Sequence, residues 1–310
     1  MFNKQYDDYE KRVKEEIAHY KKVFKGRMCQ EVPPVWNKVE EHFADNIQEI
    51  TGVRNLYEYV ARHVKTKTKV SVLGLGSGAC GNELDGILPL LRQQGCEMEL
   101  TCLDINEGIL KQAQEEASKR NVKFEAMQAD INKIKLPHEK YDVIVAYAAL
   151  HHFIELGYIA KEIKKSLKDD GIFVTVDIPT RNGYRMWEET YNMVNSIWFS
   201  LPPKFKMDYT GYSEPTFVER YENIDYSRNS FECINSEAIL PALRKNLKEV
   251  HFVPSLAFAR RFFDTKFGPN YNLELQLDKS IFDYIIQLDY YYIKNDILKP
   301  ETFFGAYAKV

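Results

Sequence analysis

The chain lacks any long apolar segment. None of its runs approaches the roughly 18 consecutive apolar residues that a membrane-spanning helix needs. The 310 residues open on a stretch, 1–8, that is too polar for a secretory signal. These absences predict a cytoplasmic protein that does not insert into membranes.

Cysteine is scarce, and neither sign of charge dominates. The five cysteines show no paired or metal-ligand spacing, and they are Cys29, Cys80, Cys96, Cys102 and Cys233. We therefore expect unpaired thiols and a reducing compartment. The seven histidines are spread out, so we expect no bound metal. The formal net charge of −3 argues against a nucleic-acid partner, because phosphate binding needs a basic surface.

The composition is otherwise that of an ordinary globular protein, rich in aromatic residues with 20 Tyr and 18 Phe. Apolar side chains recur at spacings of three and four in the segments 5–25, 35–50 and 54–64, which predicts three helices. We interpret residues 1–64 as a helical cap. These helices offer a contact for a homodimer, although the sequence does not fix the oligomeric state.

Residues 65–178 alternate strands with helices. Strands are predicted near 69–75, 98–103, 122–127, 141–147 and 172–176. Helices are predicted at 81–94, after the N-cap Asn106, and through Ile159, Ile163 and Leu167, with a turn at Asp169–Gly171. Strands that are apolar on both faces predict a parallel sheet covered by helices, a doubly wound α/β fold of Rossmann type. In such sheets ligands bind beyond the carboxyl ends of the strands.

The pattern changes after Pro179. Residues 179–235 are aromatic-rich with weak periodicity, and we interpret them as an insertion over the strand ends. Residues 236–310 resume the alternation with a helix near 236–247 capped by Ser236, a strand at 249–253, a long helix near 273–297 and a last strand at 302–309. This segment is predicted to complete the core sheet.

A glycine-rich turn follows the first strand of the core. Gly76, Gly78 and Gly81 fit the spacing Gly-x-Gly-x-x-Gly and precede a helical pattern. Such a turn lets backbone N–H groups approach a ligand closely. Asp104 ends the second strand, where its carboxylate can bind a ribose diol of either a nicotinamide dinucleotide or S-adenosylmethionine. Asp130 follows the third strand, where it can accept the amino group of an adenine that lies against Ile131.

Four motifs in order resemble the class I S-adenosylmethionine-dependent methyltransferases. They are residues 72–78, Leu103-Asp104, Ala129-Asp130-Ile131, and 141–145 with Leu150-His151-His152. The resemblance implies a seven-stranded sheet whose last strand is antiparallel, and S-adenosyl-L-methionine as cofactor. It implies cofactor contacts from Gly76, Ser77, Gly78, Glu83, Asp104, Ile105, Asp130, Ile131 and Tyr147.

The loop departs from the family pattern at two positions. Family members usually carry an acid where this chain has Gly74, and the third loop glycine, which is often replaced in the family, is Cys80 here. The missing acid affects the contact with the methionine amino group. Glu83, at the start of the next helix, can supply a carboxylate instead, or it is a plain first-turn acid.

His151 and His152 follow the fourth strand, where the methyl group is expected to emerge. A hydroxyl acceptor must lose its proton, and a histidine with an ordinary pKa of about 6.5 suits that task. We expect one of the two to be the general base or to position the acceptor. The alternative is that one packs under the cap and the other only lines the cofactor pocket.

The second half carries a weaker resemblance to bacterial methyltransferases found alongside sugar and polysaccharide biosynthesis. It rests on residues 180–187, 201–206, 236–241, 267–270 and 298–304. The insertion residues expected to contact a small polar acceptor such as a sugar are Arg181, Asn182, Tyr184, Arg185 and Trp187, since arginines bind anions and aromatic rings stack on flat faces.

The sequence therefore favours a small-molecule methyltransferase acting on oxygen. Three alternatives stay open, namely methylation of a small amine, a nicotinamide-dependent oxidoreductase, and a non-catalytic relative that only binds the cofactor.

Overall fold

The computed structural model describes residues 9–22, 32–210, 214–228 and 230–309. Its centre is a seven-stranded sheet. The strands are β1 (Lys69–Leu75), β2 (Glu97–Asp104), β3 (Lys123–Gln128), β4 (Tyr141–Tyr147), β5 (Leu167–Asp177), β8 (Lys248–Ser255) and β9 (Thr302–Ala308), with a separate hairpin of β6 (Met207–Asp208) and β7 (Thr216–Phe217). The order in the sheet is β3-β2-β1-β4-β5-β9-β8, and β9 runs antiparallel to both neighbours. The predicted α/β fold with an antiparallel last strand is confirmed.

Helices cover both faces of this sheet. They are α1 (Tyr9–Lys22), α2 (Pro34–Thr51), α3 (Leu56–His63), a π-helix (Asn82–Ile87) that continues into α4 (Leu88–Gln93), α5 (Glu107–Lys119), α6 (Leu156–Ser166), α7 (Glu188–Ser200), α8 (Ile239–Asn246), α9 (Arg260–Phe263) and α10 (Gln276–Lys294). The predicted cap helices correspond to α1, α2 and α3, although residues 5–8 and 23–25 of the first prediction lie outside the described residues. The predicted domain boundaries at 64, 178 and 235 stay predictions.

The central strands of the sheet are almost entirely buried, because their apolar side chains pack against helices on both faces. One face packs a core around Val72, Val143 and Val174, and the opposite face packs a core around Leu73, Ile144 and Phe173. This alternation along each strand sends consecutive side chains to opposite cores.

The aromatic residues of the second half build a further core. Insertion helix α7, the C-terminal helices α9 and α10, and α2 surround a cluster of large buried rings, namely Trp198, Phe205, Phe258, Phe262, Phe263 and Phe267. The weak periodicity of the insertion hid α7, which the sequence reading missed. The insertion is therefore anchored by its own apolar cluster beside the sheet.

Three local predictions were wrong. Leu167 begins β5 rather than ending the preceding helix, and Asp169–Gly171 is not a turn between elements. Instead, the register jumps from Leu167 opposite Tyr141 to Ile172 opposite Val143, so residues 168–171 bulge within the strand. Ser236 does not cap α8. It lies inside a short 3₁₀ turn, 236–238, and its hydroxyl is buried without a hydrogen-bond partner.

Two cysteines also depart from expectation. The structure joins Cys80 and Cys102 in a disulfide with their Cα atoms 6.8 Å apart. Cys102 lies opposite Gly74 in the β1–β2 pairing, so no side chain separates it from the turn that carries Cys80. Spacing along the chain does not show this pairing. Within the described ranges, no helix is both long and apolar enough to cross a bilayer.

Candidate active site

A cavity, partly open to solvent, lies beyond the carboxyl ends of β1, β2, β3 and β4. Its walls combine the glycine turn, the ends of three strands, α1 and one insertion residue. Of the predicted site residues, those on its wall are Gly76, Gly78, Asp104, Ile105, Asp130, Ile131 and His152. The remaining cofactor candidates, Ser77, Glu83 and Tyr147, are not on this wall.

The turn after β1 takes conformations that side chains disfavour. Gly76 and Gly78 have φ of +60° and +54°, in the left-handed region that glycine adopts without strain. Cys80 also has a positive φ of +59°, in the same left-handed region. Gly81 has an ordinary helical φ of −60° and open space around it, so its lack of a side chain serves no close approach.

Asp104 connects the end of β2 to the glycine turn. One carboxylate oxygen accepts from the backbone N–H of Gly78 at 3.1 Å, and the other accepts from that of Asn106 at 2.8 Å. Asn106 itself caps α5, as predicted, by accepting from the N–H of Gly108. Burial raises the pKa of Asp104 despite these hydrogen bonds. Its carboxylate is thus fixed in orientation at the cavity wall and keeps lone pairs for a ligand.

Asp130 accepts a hydrogen bond from the N-terminal helix α1. The hydroxyl of Tyr9 donates to its Oδ1 at 2.8 Å, and Oδ1 also accepts from the N–H of Asn132 at 3.0 Å. Tyr9 in turn packs edge-on against Phe231 of the insertion, with 5.9 Å between ring centroids. α1 therefore lies across the cavity and closes it on the side of β3.

Glu83 occupies the space that the missing family acid leaves. A Cβ atom on Gly74 would lie 2.5 Å from Glu83 Oε1, so the carboxylate fills the place beside residue 74. Its other oxygen, Oε2, is buried without a hydrogen-bond partner. Burial raises the pKa of Glu83 to about 7. It lies in the π-helix, a rare distortion that is frequent at functional sites.

His151 is held by a buried carboxylate at the end of β5. Its Nδ1 lies 2.7 Å from Oδ1 of Asp177, and the other Asp177 oxygen accepts from the backbone N–H groups of Ala149 and Leu150. Burial lowers the pKa of His151, but the charge and hydrogen bond of Asp177 outweigh it, so the pKa lies above 6.5. The Nδ1–H bond leaves Nε2 as the proton-accepting nitrogen.

His152 stands beside His151, with 4.1 Å between ring centroids. Burial, followed by the neighbouring His151, lowers the pKa of His152 to about 4. Glu232 of the insertion faces both rings, 4.0 Å from His151 Nε2 and 3.9 Å from His152 Nε2. Glu16 on α1 lies 3.7 Å from His152 Nδ1.

This cluster contains a donor set that suits a metal ion. One ligand atom from each of His151, His152 and Glu232 lies within 4.8 Å of the others. Two imidazoles and a carboxylate are common ligands of transition metals, and Asp177 is placed as the orienting carboxylate that such histidines have. The expected absence of a metal constellation overlooked Glu232, which lies 80 residues beyond His152 in the chain.

The insertion residues that were predicted to contact the acceptor separate into two groups. Arg181 and Arg185 pair through their backbones, Arg185 Nε donates to the carbonyl of Asn182, and the N–H of Asn182 donates to Glu237. These three residues form a turn that is held by contacts within itself and with Glu237. Tyr184 lies apart: its φ is +58°, and its ring centroid lies 3.8 Å from Cζ of Arg261 on α9.

The remaining aromatic candidate packs among cations. Lys299 Nζ lies 3.7 Å from the centroid of the Trp187 ring, and Arg181 lies 6.0 Å from it. The sequence analysis missed Tyr9, Asp177 and Glu232. Of these, Asp177 carried the clearest signal, an acid at the end of a buried strand like Asp104.

Comparisons with known proteins support a methyltransferase domain. Residues 74–175 match the family described as a methyltransferase domain. The malonyl-(acyl-carrier protein) O-methyltransferase of Acetivibrio thermocellus is 24% identical over 140 residues, which are 43% of this chain and 47% of that protein. The ribosomal protein L11 methyltransferase of Caldicellulosiruptor bescii is 30% identical over 121 residues, 39% of this chain and 36% of that protein. This chain thus spans less than half the length of both relatives.

Among solved structures, geranyl diphosphate C-methyltransferase from Streptomyces coelicolor, in complex with Mg²⁺, geranyl-S-thiolodiphosphate and S-adenosyl-L-homocysteine, matches with a TM-score of 0.48 and 13% identity. The match covers 96% of this chain and 98% of that one. The family match falls on the part of the sheet that carries the glycine turn, Asp104 and Asp130. Residues 74–175 of this chain thus resemble a methyltransferase domain, and the Streptomyces coelicolor neighbour was solved with S-adenosyl-L-homocysteine bound.

Proposed function

We propose that this chain transfers a methyl group from S-adenosyl-L-methionine to an oxygen atom of a small polar acceptor. The observation that carries the proposal is the His151–Asp177 pair, which lies next to a cavity built from the glycine turn, Asp104 and Asp130. A buried carboxylate that fixes a histidine with one open nitrogen is the arrangement of a general base.

Three features fit the cofactor, two of them on the cavity wall and the third, Glu83, outside it. Asp104 at the wall suits the ribose hydroxyls, and Asp130 with Ile131 suits the edge and face of the adenine. Tyr9 now donates to Asp130, so adenine binding has to share that carboxylate with Tyr9 or displace it. Glu83 suits the methionine ammonium group, since its unpartnered buried oxygen lacks only a donor.

When bound, the cofactor supplies an activated methyl group and a neutral leaving group. The protein then has to align the acceptor, exclude water and remove one proton. His151 can take that proton at Nε2, since Asp177 holds Nδ1 and stabilises the imidazolium that forms. Glu232 faces Nε2 and is partly exposed, so it can pass the proton on to solvent.

His152 has a different role in this proposal. Its low pKa keeps the ring neutral near pH 7, and it forms part of the cavity wall. We propose that His152 shapes the part of the cavity wall where the methyl donor would lie, and that it does not act as the base. The acceptor class, including the sugar that the second-half resemblance implies, stays a proposal that rests on that resemblance, because Tyr184 and Trp187 do not line the cavity.

The test combines binding and turnover. Calorimetry should detect S-adenosyl-L-homocysteine binding and no NADH binding, because the reverse result would favour an oxidoreductase. Mass spectrometry of a polar metabolite pool, incubated with enzyme and labelled cofactor, then identifies an acceptor by one added methyl group. A bound cofactor with no methylated product from any pool would favour a non-catalytic relative.

Variants of the two histidines refine the test. His151→Gln should lower turnover about 100-fold or more with cofactor affinity unchanged, the usual scale for a lost general base. His138→Gln, on an exposed histidine, is the matched control. If His151→Gln keeps full turnover, the base assignment is wrong, and a neutral amine acceptor that needs no base becomes the better proposal.

A further inference from the structure

The side chains of His151, His152 and Glu232 enclose a gap that is too wide for hydrogen bonds and close to the size of a metal site. The separations of 4.0 and 3.9 Å between the Glu232 oxygens and the two Nε2 atoms exceed the roughly 3.2 Å limit of a hydrogen bond. Donor atoms that bind zinc tetrahedrally at about 2.1 Å lie about 3.4 Å apart. Glu232 therefore has to approach each imidazole by only about 0.5 Å to share an ion with it.

A carboxylate stands behind each of the two imidazoles. Asp177 Oδ1 lies 2.7 Å from Nδ1 of His151, and Glu16 Oε1 lies 3.7 Å from Nδ1 of His152. Histidines that bind a metal commonly direct their second ring nitrogen to such a carboxylate, which fixes the ring and makes the ligating nitrogen more basic. In both residues the nitrogen in the ligating position is then Nε2, the atom that faces Glu232.

The segment around Glu232 is fixed to the histidines by its backbone. The N–H of Ile234 donates to the carbonyl of His151 at 3.1 Å, and the N–H of Glu232 donates to Ser230 Oγ at 3.1 Å. The Cys233 thiol also donates to Glu232 Oε1 at 3.5 Å. The Glu232 side chain is nevertheless 37% exposed, so it has room for the small movement that ligation requires.

The charge of this cluster and its access from solvent both suit a divalent cation. The carboxylates of Asp177, Glu232 and Glu16 surround two rings, so with neutral imidazoles the cluster carries three formal negative charges. Charged groups that are withdrawn from water are usually paired with one another or with a metal ion. His152 lines the cavity beyond the strand ends, through which an ion can enter.

We propose that His151, His152 and Glu232 bind a divalent transition metal ion such as Zn²⁺, and that the bound ion suppresses methyl transfer. Two imidazoles and one carboxylate are a donor set of zinc sites that keep one coordination position open. Suppression follows because the ion takes the lone pair of His151 Nε2 that would otherwise accept a proton. This second part rests on the proposed function, whereas the metal site itself does not.

Metal titrations of the untagged chain test the site without any acceptor. After dialysis against EDTA and removal of the chelator, Co²⁺ is added and its visible absorption is followed, and Zn²⁺ binding is measured by calorimetry. Glu232→Gln and His152→Gln each remove one ligand. His138→Gln is the matched control, because His138 is exposed and lies 3.6 Å from Glu139, a histidine–glutamate pair outside the cluster.

We expect the wild type and His138→Gln to bind one ion per chain with the intense visible bands of a site of low coordination number. Glu232→Gln and His152→Gln should each lower the affinity about tenfold or more. Urea unfolding should show that both variants stay folded. The site is overturned if the wild type binds neither ion, or if both folded variants bind as tightly as the wild type.

The suppression is tested on methyl incorporation into the polar metabolite pool. Zn²⁺ that saturates the site should lower incorporation by the wild type about 100-fold or more, the scale of a lost general base, and EDTA should restore it. Incorporation that persists with zinc bound overturns the suppression and, with it, the assignment of His151 as the base. A chain that methylates nothing even when free of metal overturns the proposed function, while the titrations still decide the metal site.

Discussion

Replacing Glu83 by glutamine removes a buried negative charge that destabilises the folded protein when no ligand is bound. Burial raises the pKa of Glu83 from 4.5 to about 7, and Oε2 has no hydrogen-bond partner. A shift of this size corresponds to about 3 kcal/mol of differential stability between the protonated and ionised forms. Because the folded-state pKa is the higher one, this penalty is absent below pH 4.5, grows between pH 4.5 and 7, and is complete above pH 7.

The expected result is a pH-dependent gain in stability. At pH 8, Glu83→Gln should raise the free energy of unfolding by up to about 3 kcal/mol, and at pH 5 the gain should fall below about 1 kcal/mol. Urea unfolding followed by tryptophan fluorescence measures both values. Asp85→Asn is the matched control on the same π-helix, since Asp85 is 68% exposed and pairs only at the surface with Arg120. That variant should show no such pH dependence.

The same variant should bind the cofactor product more weakly. If the Glu83 carboxylate holds the methionine ammonium group, Glu83→Gln should lower S-adenosyl-L-homocysteine affinity about 10- to 100-fold in calorimetry, the range of a charged hydrogen bond. A gain in stability together with a loss in affinity separates a binding role from a structural one. Lower stability at pH 8, or unchanged affinity, would refute the reasoning.

Four further outcomes are expected. Asp104→Ala should weaken S-adenosyl-L-homocysteine binding about tenfold or more, and an unchanged affinity in calorimetry would exclude its ribose role. Turnover should rise with pH through the His151 pKa above 6.5, and Asp177→Asn should move that limb of the pH–rate profile to lower pH because the imidazolium loses its partner. Removing metals with EDTA should leave turnover unchanged if His151 works as a base, whereas a loss reversed by a divalent ion would favour the histidine–glutamate cluster as a metal site. Gly74→Ala would place Cβ 2.5 Å from Glu83 Oε1, so denaturant titration should show a loss of about 1–3 kcal/mol.

The strands and the glycine turn could be predicted because their signals are local. Strand β1 was predicted at its observed bounds of 69–75, and β4 at 141–147. A buried run of apolar residues followed by glycines fixes both the strand and the turn within about ten residues. The parallel order then follows from the helix between each pair of strands. Because parallel strands end at the same edge of the sheet, this order also predicts that Asp104 and Asp130 line one cavity.

Contacts between distant segments could not be predicted in this way. Asp177 lies 26 residues beyond His151, and Glu232 lies 81 residues beyond it. Nothing in the local pattern links these residues, because the insertion follows no period that would show which side chains face the sheet. The bulge at 168–171 resembles a turn in sequence, and only the register with β4 shows that the strand continues through it.

The two departures from the family pattern show how spatial neighbours can compensate for missing residues. Gly74 lacks the acid expected there, yet a carboxylate from Glu83 lies beside its Cα and fills the space that a side chain would take. Cys80 lacks the freedom of glycine, yet it holds a positive φ and is bonded to Cys102 on the neighbouring strand. A motif comparison counts both positions as losses. In the folded chain the same functions, a buried carboxylate and a tight turn, are still present, so the departures alone do not support a non-catalytic relative.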